Sequence, residues 1–419
     1  MQVRRCAVLF IEPREELGID WSSLFSGTSA LSATMRWVAL APHLGAECEI
    51  DAADLSLLGS VGQTQWQSCT EVAERFGAAS VQRLLELGLL IGDGTDDGEG
   101  AGNNDQDAER RAHFRERDTT LRGQHWRPMS ALAHAFSRWE GMKVESGMQF
   151  PTFEQLVDNY GTPPLPVIDR VAVAAVGSAG AGVGAAAASG ADAVPDPTIA
   201  LPAPSAGPLD EILLHRYTGR NFDSEAVLPL AVLTRMLQRT FGAHDQRMMA
   251  PDAWVLKKTV PSAGGLHPIE AYVLVQRVEG VPAGLYHYHP VKHTLTPLKY
   301  LTAGQAGALA LQAVADQDWF ADAPVMVVLA ARVERNFWKY RNHTKAYRAL
   351  MLDAGHLSQT WYLLAGEAGM PAFITAAINE VDLEQAFGLD PLRDAVIAVC
   401  GCGVSNGGDK TVEMRYESQ

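Results

Sequence analysis

Apolar runs of strand length alternate with helical patterns from residue 210 to residue 405. Helical spacing places Leu233, Leu237 and Phe241 on one face of a single segment. Buried strands are predicted by "AYVLVQRV", "PVMVVLAA" and "AVIAVCGCG", and a hairpin that turns at His289 is predicted by "GLYHYHPVKHTLTPL". The pattern therefore predicts an α+β domain in which a mixed sheet is packed between helices.

The first 90 residues carry a different pattern. The stretch "CTEVAERFGAASVQRLLELGLLI" predicts a short helix, a turn at Gly77 and a second helix that ends at Gly88. This is the outline of a winged helix-turn-helix. DNA recognition needs a second helix with several basic residues, and here Arg83 is the only basic residue of that helix. We therefore predict a small winged-helix-like domain that docks a peptide or a partner, or that only packs.

Two segments of biased composition divide the chain. One is Gly-rich and acidic with no Lys or Arg, the other is rich in Ala, Gly and Pro, and neither can bury enough apolar surface to fold. The predicted organisation is a winged-helix-like domain at 1–90, an acidic linker at 91–108, a connecting segment at 109–170, a second linker at 171–208 and an α+β domain at 209–419.

Charge and hydropathy exclude several classes of function. The formal net charge is −15, and no run of Lys and Arg is interleaved with aromatic residues, so we expect no nucleic-acid or membrane partner. Charged residues closely follow the short apolar run at the N-terminus, which predicts a strand in place of a signal peptide. No uninterrupted apolar stretch reaches the length of about 20 residues that spans a bilayer. We expect a cytoplasmic protein.

No metal site is predicted. The five cysteines are too few and too scattered for a disulfide framework, and Cys400 and Cys402 lack a second ligand pair at zinc spacing. Alternation along a strand places His287, His289 and His293 on one face, but no pair of carboxylates accompanies them.

Two segments offer groups that could hold a ligand. Arg216 and Arg220 flank Thr218, and arginine supplies a planar fork of donors that matches phosphate. A loop of small residues directly precedes a predicted strand, where exposed backbone can either turn the chain or approach a flat ligand closely. The loop consists of Pro261, Ser262, Ala263, Gly264 and Gly265. Each segment taken alone also fits a solvated helix end or a simple turn.

In this order the segments resemble the nitroreductase superfamily of flavin mononucleotide (FMN) enzymes. The stretch "PSAGGLHPIEAYVLV" followed by "GLYHYHPVKHTL" is similar to the SagB-type or McbC-like dehydrogenases, which oxidise azoline rings in ribosomally made peptides. The N-terminal region and the linkers resemble the peptide maturation dehydrogenases. The resemblance covers about residues 209–405 and implies a nitroreductase-like fold.

The resemblance also assigns cofactor contacts. Arg216, Thr218 and Arg220 match the family's Arg-x-Ser-x-Arg motif, which implies contacts to the flavin phosphate and ribityl chain. The loop from Pro261 to Gly265 matches the segment along the isoalloxazine ring. Further contacts are implied at Arg348, at His356, which is either a core histidine or a flavin-side donor, and at Lys410 or Arg415.

Lys339 and Tyr340 match a pair that this subfamily has and ordinary nitroreductases lack. Oxidation of an azoline removes a proton from the carbon next to the carbonyl and a hydride from the neighbouring ring carbon. A partly desolvated lysine could take the proton, with the tyrosine relaying or orienting it. The residues alone favour a solvated strand end; the resemblance reverses this preference and favours catalysis.

Two positions depart from the family pattern, because Asp353 stands where Glu is usual and His289 where Asp is common. We assign neither a catalytic role. Gly355 is expected to allow close approach of a helix or of a second subunit.

The predicted protein is a homodimeric, FMN-dependent dehydrogenase that converts thiazoline or oxazoline to the azole in a precursor peptide. A cyclodehydratase is a further expected partner. Two alternatives are a broad NAD(P)H-dependent nitro- or quinone reductase on the same fold, and a scaffold that has lost flavin and binds only peptide.

Overall fold

A computed structural model divides the chain into two units, one formed by Met1–Lys143 with His215–Gln419 and the other by Val144–Leu214. The second unit contains a helix at Phe153–Tyr160. The structure describes residues 1–19, 25–26, 31–95, 105–143, 153–162, 201–202, 204–250, 253–341, 343–408 and 413–416.

The described elements are numbered in chain order. The helices are α1 (Ala52–Ser60), α2 (Cys69–Phe76), α3 (Ala78–Glu86), α4 (Asp105–Gly123), α5 (Pro128–Ala135), α6 (Phe153–Tyr160), α7 (Asp210–His215), α8 (Leu230–Thr240), α9 (Ala303–Ala313), α10 (Asp318–Ala321), α11 (Val333–Lys339), α12 (Ala346–Glu367) and α13 (Glu380–Phe387). The strands are β1 (Gln2–Arg5), β2 (Phe10–Ile19), β3 (Leu31–Ala41), β4 (Ala46–Ile50), β5 (Gln67–Ser68), β6 (Leu90–Gly92), β7 (Ala243–Ala250), β8 (Ala253–Lys258), β9 (Ile269–Val275), β10 (Gly284–His289), β11 (Thr294–Tyr300), β12 (Val325–Arg332), β13 (Ala372–Thr375) and β14 (Asp394–Cys402).

The C-terminal region is built on a six-stranded sheet with the strand order β11-β10-β9-β12-β14-β13. Each pair of neighbouring strands in it runs antiparallel. At β13, Thr218 forms an isolated parallel bridge with Ala372, so this edge of the sheet has both antiparallel and parallel pairing. The predicted hairpin turns after His289, as expected.

Alternation along the central strands explains why helices cover both faces of this sheet. Val273 and Val275 of β9 lie in one buried cluster, whereas Leu274 lies in another. Helices α8 and α12 contribute residues such as Leu237 and Trp361 to the first cluster, and α9 and α13 contribute to the second. Burying one such side chain stabilises the fold by about 1.5–3 kcal/mol. The predicted α+β arrangement of a sheet between helices is confirmed.

The N-terminal region contains two small sheets. Strand β1 pairs with β5 and β6, and helices α1 to α3 pack residues such as Leu57, Val72 and Leu84 into the same buried cluster. The two predicted helices are α2 and α3, separated by Gly77 at φ +92°. Strands β2, β3 and β4 form a further antiparallel sheet that the sequence pattern did not predict. The winged-helix assignment and the docking role stay predictions.

Helices α4 and α5 attach the N-terminal residues to the C-terminal region. Asp118 is fully buried and accepts hydrogen bonds from the backbone N–H of Ala7 (2.6 Å) and from Arg122 Nε (2.7 Å). Trp126 donates from its indole N–H to the carbonyl of Leu392 at 3.1 Å. Residues 1–143 and 215–419 form one compact unit.

Both ends of the predicted acidic linker at 91–108 carry regular structure, since β6 runs to Gly92 and α4 begins at Asp105. Of the second predicted linker, 171–208, the structure describes residues 201, 202 and 204–208. Across the described ranges, each helix is too short or too polar to cross a membrane.

We expect acid to destabilise the protein through His134. Its Nε2 lies 2.9 Å from the carbonyl of Pro391, and burial lowers the pKa of His134 to about 4. An unfolded histidine takes up a proton below about pH 6.5, so the unfolded state binds more protons than the folded state between that pH and 4. Stability is therefore lost as the pH falls through this window, by at most about 3 kcal/mol.

Urea denaturation of wild type and His134→Gln between pH 7 and 4.5 measures this effect. The difference in unfolding free energy between the two proteins should shrink as the pH falls. A difference that stays constant over this range would show that His134 does not contribute to the acid sensitivity.

Candidate active site

The small-residue loop connects β8 to β9 through one 3₁₀ turn at Ala263–Gly265. Gly264 and Gly265 have φ values of +62° and +68°, in the left-handed region that residues with a side chain rarely adopt. The turn closes when Gly265 N–H donates to the carbonyl of Ser262 at 3.0 Å. The glycines are therefore required by the turn itself, and they also leave its backbone uncovered.

Asp353 of α12 holds this loop in place. Its carboxylate accepts hydrogen bonds from the hydroxyl of Ser262 (2.5 Å) and from the backbone N–H of Ala263 (3.0 Å). The Ser262 oxygen in turn accepts from the backbone N–H of His267 at 2.9 Å. Asp353 is only 3% exposed. We assigned Asp353 no role from the sequence, although an acid inside an apolar helix signals a buried polar contact.

Lys339 and Tyr340 lie directly against the same loop. A Cβ atom placed on Gly264 would be 2.7 Å from Lys339 Nζ and 2.7 Å from the Tyr340 hydroxyl oxygen. The pair ends α11, where Tyr340 N–H donates to the carbonyl of Asn336 at 3.2 Å. The structure thus brings together two segments that are about 75 residues apart in sequence and that the resemblance assigns to ring binding and to proton transfer.

The residues that the structure describes do not supply the predicted desolvation of Lys339. Lys339 is exposed and Tyr340 is half-buried. Lys339 and Tyr340 lie at the end of a helix, whereas the residues alone would fit the end of a strand.

Arg216, Thr218 and Arg220 lie on an extended segment beside β13. The backbone N–H of Gly219 donates to the carbonyl of Ala372 at 2.8 Å, which extends the sheet edge. The Thr218 hydroxyl lies 3.0 Å from the hydroxyl of Tyr362, and the Arg216 guanidinium lies 5.2 Å from the centre of the same ring. Tyr362 of α12 therefore positions the motif, and the sequence analysis missed it.

The C-terminal residues fold onto this motif. Glu413 accepts hydrogen bonds from the backbone N–H groups of Arg220 (2.6 Å) and Asn221 (3.1 Å). Arg415 donates to Glu413 at 2.5 Å and stacks on the Tyr217 ring at 4.5 Å. Burial alone would raise the pKa of Glu413, but these hydrogen bonds lower it overall. Arg415 is thus beside the predicted phosphate site, while the alternative, Lys410, lies outside the described residues.

One helix therefore carries two separate clusters. Asp353 anchors the loop and Tyr362 anchors the arginine motif, and they are nine residues apart on α12. At a rise of about 1.5 Å per residue, that spacing is about 14 Å along the helix axis. The loop and the motif can contact different parts of an elongated ligand.

Arg348, Gly355 and His356 lie on an exposed side of α12. The possibility that His356 is a core histidine is wrong, because the residue is solvent-exposed. The expectation that a helix of the chain approaches Gly355 is also wrong for the described residues, since a Cβ there would meet nothing within 4 Å. Among the side chains that the structure describes, neither Arg348 nor His356 has a hydrogen bond or ion pair to the loop.

The histidines and cysteines considered for a metal have other contacts. His287 pairs with Glu270 at 3.1 Å, and His293 Nδ1 lies 2.7 Å from the Tyr288 hydroxyl. Burial raises the pKa of the Cys400 thiol well above its usual range and that of Cys402 to about 12. Within the part of the chain that the structure describes, no group of three or more His, Cys, Asp or Glu side chains could hold a metal ion.

Comparison with known proteins defines the class. The model of the nitroreductase family matches residues 213–404. MJ1384 of Methanocaldococcus jannaschii, a protein named as a nitroreductase, is 30% identical over 177 residues, which cover 42% of this chain and 82% of the relative. The chain therefore belongs to the nitroreductase family, whose fold and flavin-dependent oxidoreductase chemistry the sequence analysis predicted.

Two other relatives are named for peptide processing. The trifolitoxin-processing protein TfxB of Rhizobium leguminosarum bv. trifolii is 27% identical, over 41% of this chain and 46% of TfxB. The microcin B17-processing protein McbC of Escherichia coli is 24% identical, over 43% of this chain and 64% of McbC. The chain thus matches less than two thirds of the length of either. A structure of the E. coli microcin synthetase McbBCD complex with truncated pro-MccB17 matches at 18% identity and a TM-score of 0.45, covering 69% of this chain and 97% of that one.

Proposed function

We propose that the protein is an FMN-dependent dehydrogenase that oxidises azoline rings to azoles in a ribosomally made precursor peptide. The observation that carries this proposal is the placement of Lys339 and Tyr340 against the backbone of Gly264. A lysine and a tyrosine at that position put proton-transfer groups beside the loop that the family uses along the flavin ring. The names of TfxB and McbC support a peptide substrate.

The residues present fit FMN. The left-handed turn at Gly264 and Gly265 exposes backbone, and a Cβ at Gly265 would meet no atom within 4 Å, so a flat ring has room to approach. Arg216, Thr218 and Arg220 would supply cationic and hydroxyl donors for the phosphate and ribityl groups. When bound, the flavin would accept the hydride that leaves the azoline ring.

The protein's own residues would handle the proton. Lys339 in its neutral form would take the proton from the ring carbon next to the carbonyl, so that the ring loses one proton and one hydride and becomes aromatic. Tyr340 would relay that proton or orient the lysine. Because Lys339 is exposed in the free chain, the peptide that covers the loop would supply the desolvation that favours the neutral amine.

We propose that two copies of the chain complete the site. The exposed side of α12 includes Gly355 and Leu352, which is 60% exposed, and a small residue beside an exposed apolar one suits close packing of a second helix. The precursor peptide and a cyclodehydratase that forms the azoline would be the other partners.

The test begins with the visible spectrum of the purified protein and the chromatographic identity of any released cofactor. We expect stoichiometric FMN and oxidation of a synthetic thiazoline peptide, detected as a mass loss of about 2 Da because two hydrogens leave the ring. Steady NADPH-dependent reduction of a nitroarene without peptide oxidation would instead establish the reductase alternative. A colourless protein that cannot be reconstituted would establish the scaffold.

A further inference from the structure

A cavity of about 330 Å³ lies next to the loop, and nothing in the proposed reaction uses it. Leu266 and His267, which directly follow the loop, form part of its wall. Strand β8 contributes Lys258 and Trp254, and the ends of β10 and β12 and the start of α11 complete it. The cavity therefore opens beside the proposed reaction centre.

Lys258 is the unusual group in this cavity. It is only 6% exposed, and among the residues that the structure describes its ammonium group has no hydrogen-bond or salt-bridge partner. Burial lowers the pKa of Lys258, and the negative charge of Glu270 opposes this shift only in part. The ammonium nitrogen keeps some accessible surface, so it faces the cavity without an ionic partner, and a ligand that carries negative charge would offset the cost of burying the rest of the side chain.

The rest of the cavity leaves a positive charge uncompensated. Among the lining residues that the structure describes, Glu270 is the only carboxylate, and it already accepts from His287 at 3.1 Å and from Arg332 at 3.4 Å. Arg335 donates to the carbonyls of Leu266 (3.1 Å) and Trp254 (3.0 Å), which are neutral. Lys258 and Arg335 therefore give the cavity a net affinity for an anion.

His267 adds a fixed polar group. Its backbone lies in the left-handed region at φ +48°, which is a strained conformation for histidine. Burial, and then the charges of Lys258 and Arg335, lower the pKa of His267 to about 4. The imidazole is thus neutral near pH 7 and can donate or accept one hydrogen bond without adding charge.

We propose that this cavity binds the carboxylate of an aspartate or glutamate side chain of the peptide substrate, with Lys258 as its ionic partner. The assignment rests on the proposed function, because that function makes a peptide the substrate. Apolar walls from Trp254 and Leu266 fit the aliphatic stem of such a side chain. The enzyme would then prefer azoline rings that have an acidic residue nearby.

Direct binding tests the site without flavin turnover. The full-length protein is titrated with N-acetylglutamate, and the change in tryptophan fluorescence is followed, with Trp254→Phe identifying the signal from the cavity wall. Lys258→Met should raise Kd by at least about tenfold, since hydrogen bonds to charged groups are worth that much or more. The matched control Lys257→Met removes the neighbouring, exposed lysine and should leave Kd unchanged. N-acetylglutamine should bind far more weakly than N-acetylglutamate.

A peptide assay connects the cavity to catalysis. In wild type, replacing a glutamate next to the thiazoline by glutamine should raise KM by about tenfold. In Lys258→Met the glutamate and glutamine peptides should have the same KM. The substitution should raise KM for the glutamate peptide and leave kcat unchanged. Thermal unfolding of Lys258→Met should occur at or above the wild-type temperature, because the substitution removes an unpaired buried charge.

Several results would overturn the inference. They are an unchanged Kd in Lys258→Met, inorganic phosphate binding more tightly than N-acetylglutamate, or a large drop in the unfolding temperature that shows a structural role for the ammonium. The same experiments separate failure of the proposed function from failure of this inference. N-acetylglutamate binding that depends on Lys258 would support the carboxylate site even if no azoline is oxidised. Azoline oxidation without such binding would refute this inference alone.

Discussion

Replacing Lys339 by methionine is expected to lower the rate of azoline oxidation by about 10²–10⁴-fold, the usual contribution of a positioned general base. Methionine keeps the unbranched stem but cannot take a proton. Because Lys339 is exposed, the fold does not depend on it, and the variant should bind flavin as wild type does. Single-turnover oxidation of a thiazoline peptide, normalised to bound flavin by absorbance, measures the loss.

The matched control is Lys345→Met, which removes an exposed lysine six positions further along the chain and should keep the wild-type rate. Tyr340→Phe separates the two possible tyrosine roles. A loss as large as that of Lys339→Met indicates a proton relay, whereas a loss of about tenfold indicates orientation only. Wild-type turnover in Lys339→Met would remove this lysine from the chemistry and favour the reductase alternative.

Replacing Asp353 by asparagine is expected to weaken flavin binding by about ten- to a hundredfold. The carboxylate accepts from the Ser262 hydroxyl and the Ala263 N–H, and a hydrogen bond to a charged group is worth about 1.5–3 kcal/mol. Asparagine has nearly the same shape, but its amide is neutral and only its oxygen can accept, so one of the two hydrogen bonds that anchor the loop to α12 is lost and the other is weakened. Titration of the flavin-free protein with FMN, followed by quenching of flavin fluorescence, gives the change in Kd.

Asp353→Glu is the control, since the family resemblance implies glutamate at this position and its carboxylate can serve the same two donors. It should retain flavin binding close to wild type. Ser262→Ala removes one of the two hydrogen bonds and should give an intermediate Kd. If Asp353→Asn binds FMN as tightly as wild type does, the loop keeps its conformation without the carboxylate.

The central sheet and the loop could be predicted because their signals are local. Strand β12 and the part of β9 from Ala271 to Val275 are largely buried on both faces, so each appears as a continuous apolar run. The loop from Pro261 to Gly265 needs glycine for its left-handed turn, and this requirement is visible in the residues themselves. Pairing the loop with Lys339, in contrast, relied on the family resemblance and not on any local pattern.

The anchors of the site could not be predicted, because they join distant parts of the chain. Asp353 lies 91 positions from Ser262, and Glu413 lies 193 positions from Arg220. Hairpin β7–β8 was missed for a different reason. Its first strand exposes most of its residues, including Met249 at 66%, so no alternation of apolar and polar residues marks it.

The buried contacts of Asp118 and Trp126 have a consequence for how this chain can evolve. Asp118 ties Ala7 to α4, and Trp126 ties the segment after α4 to the C-terminal region, so the association rests on side-chain contacts and not on the length of polypeptide between Lys143 and His215. The entropy of closing a chain segment grows only with the logarithm of its length, and a doubling costs about 0.6 kcal/mol. Moderate changes in the length of the segment between these two points should therefore cost little folding free energy.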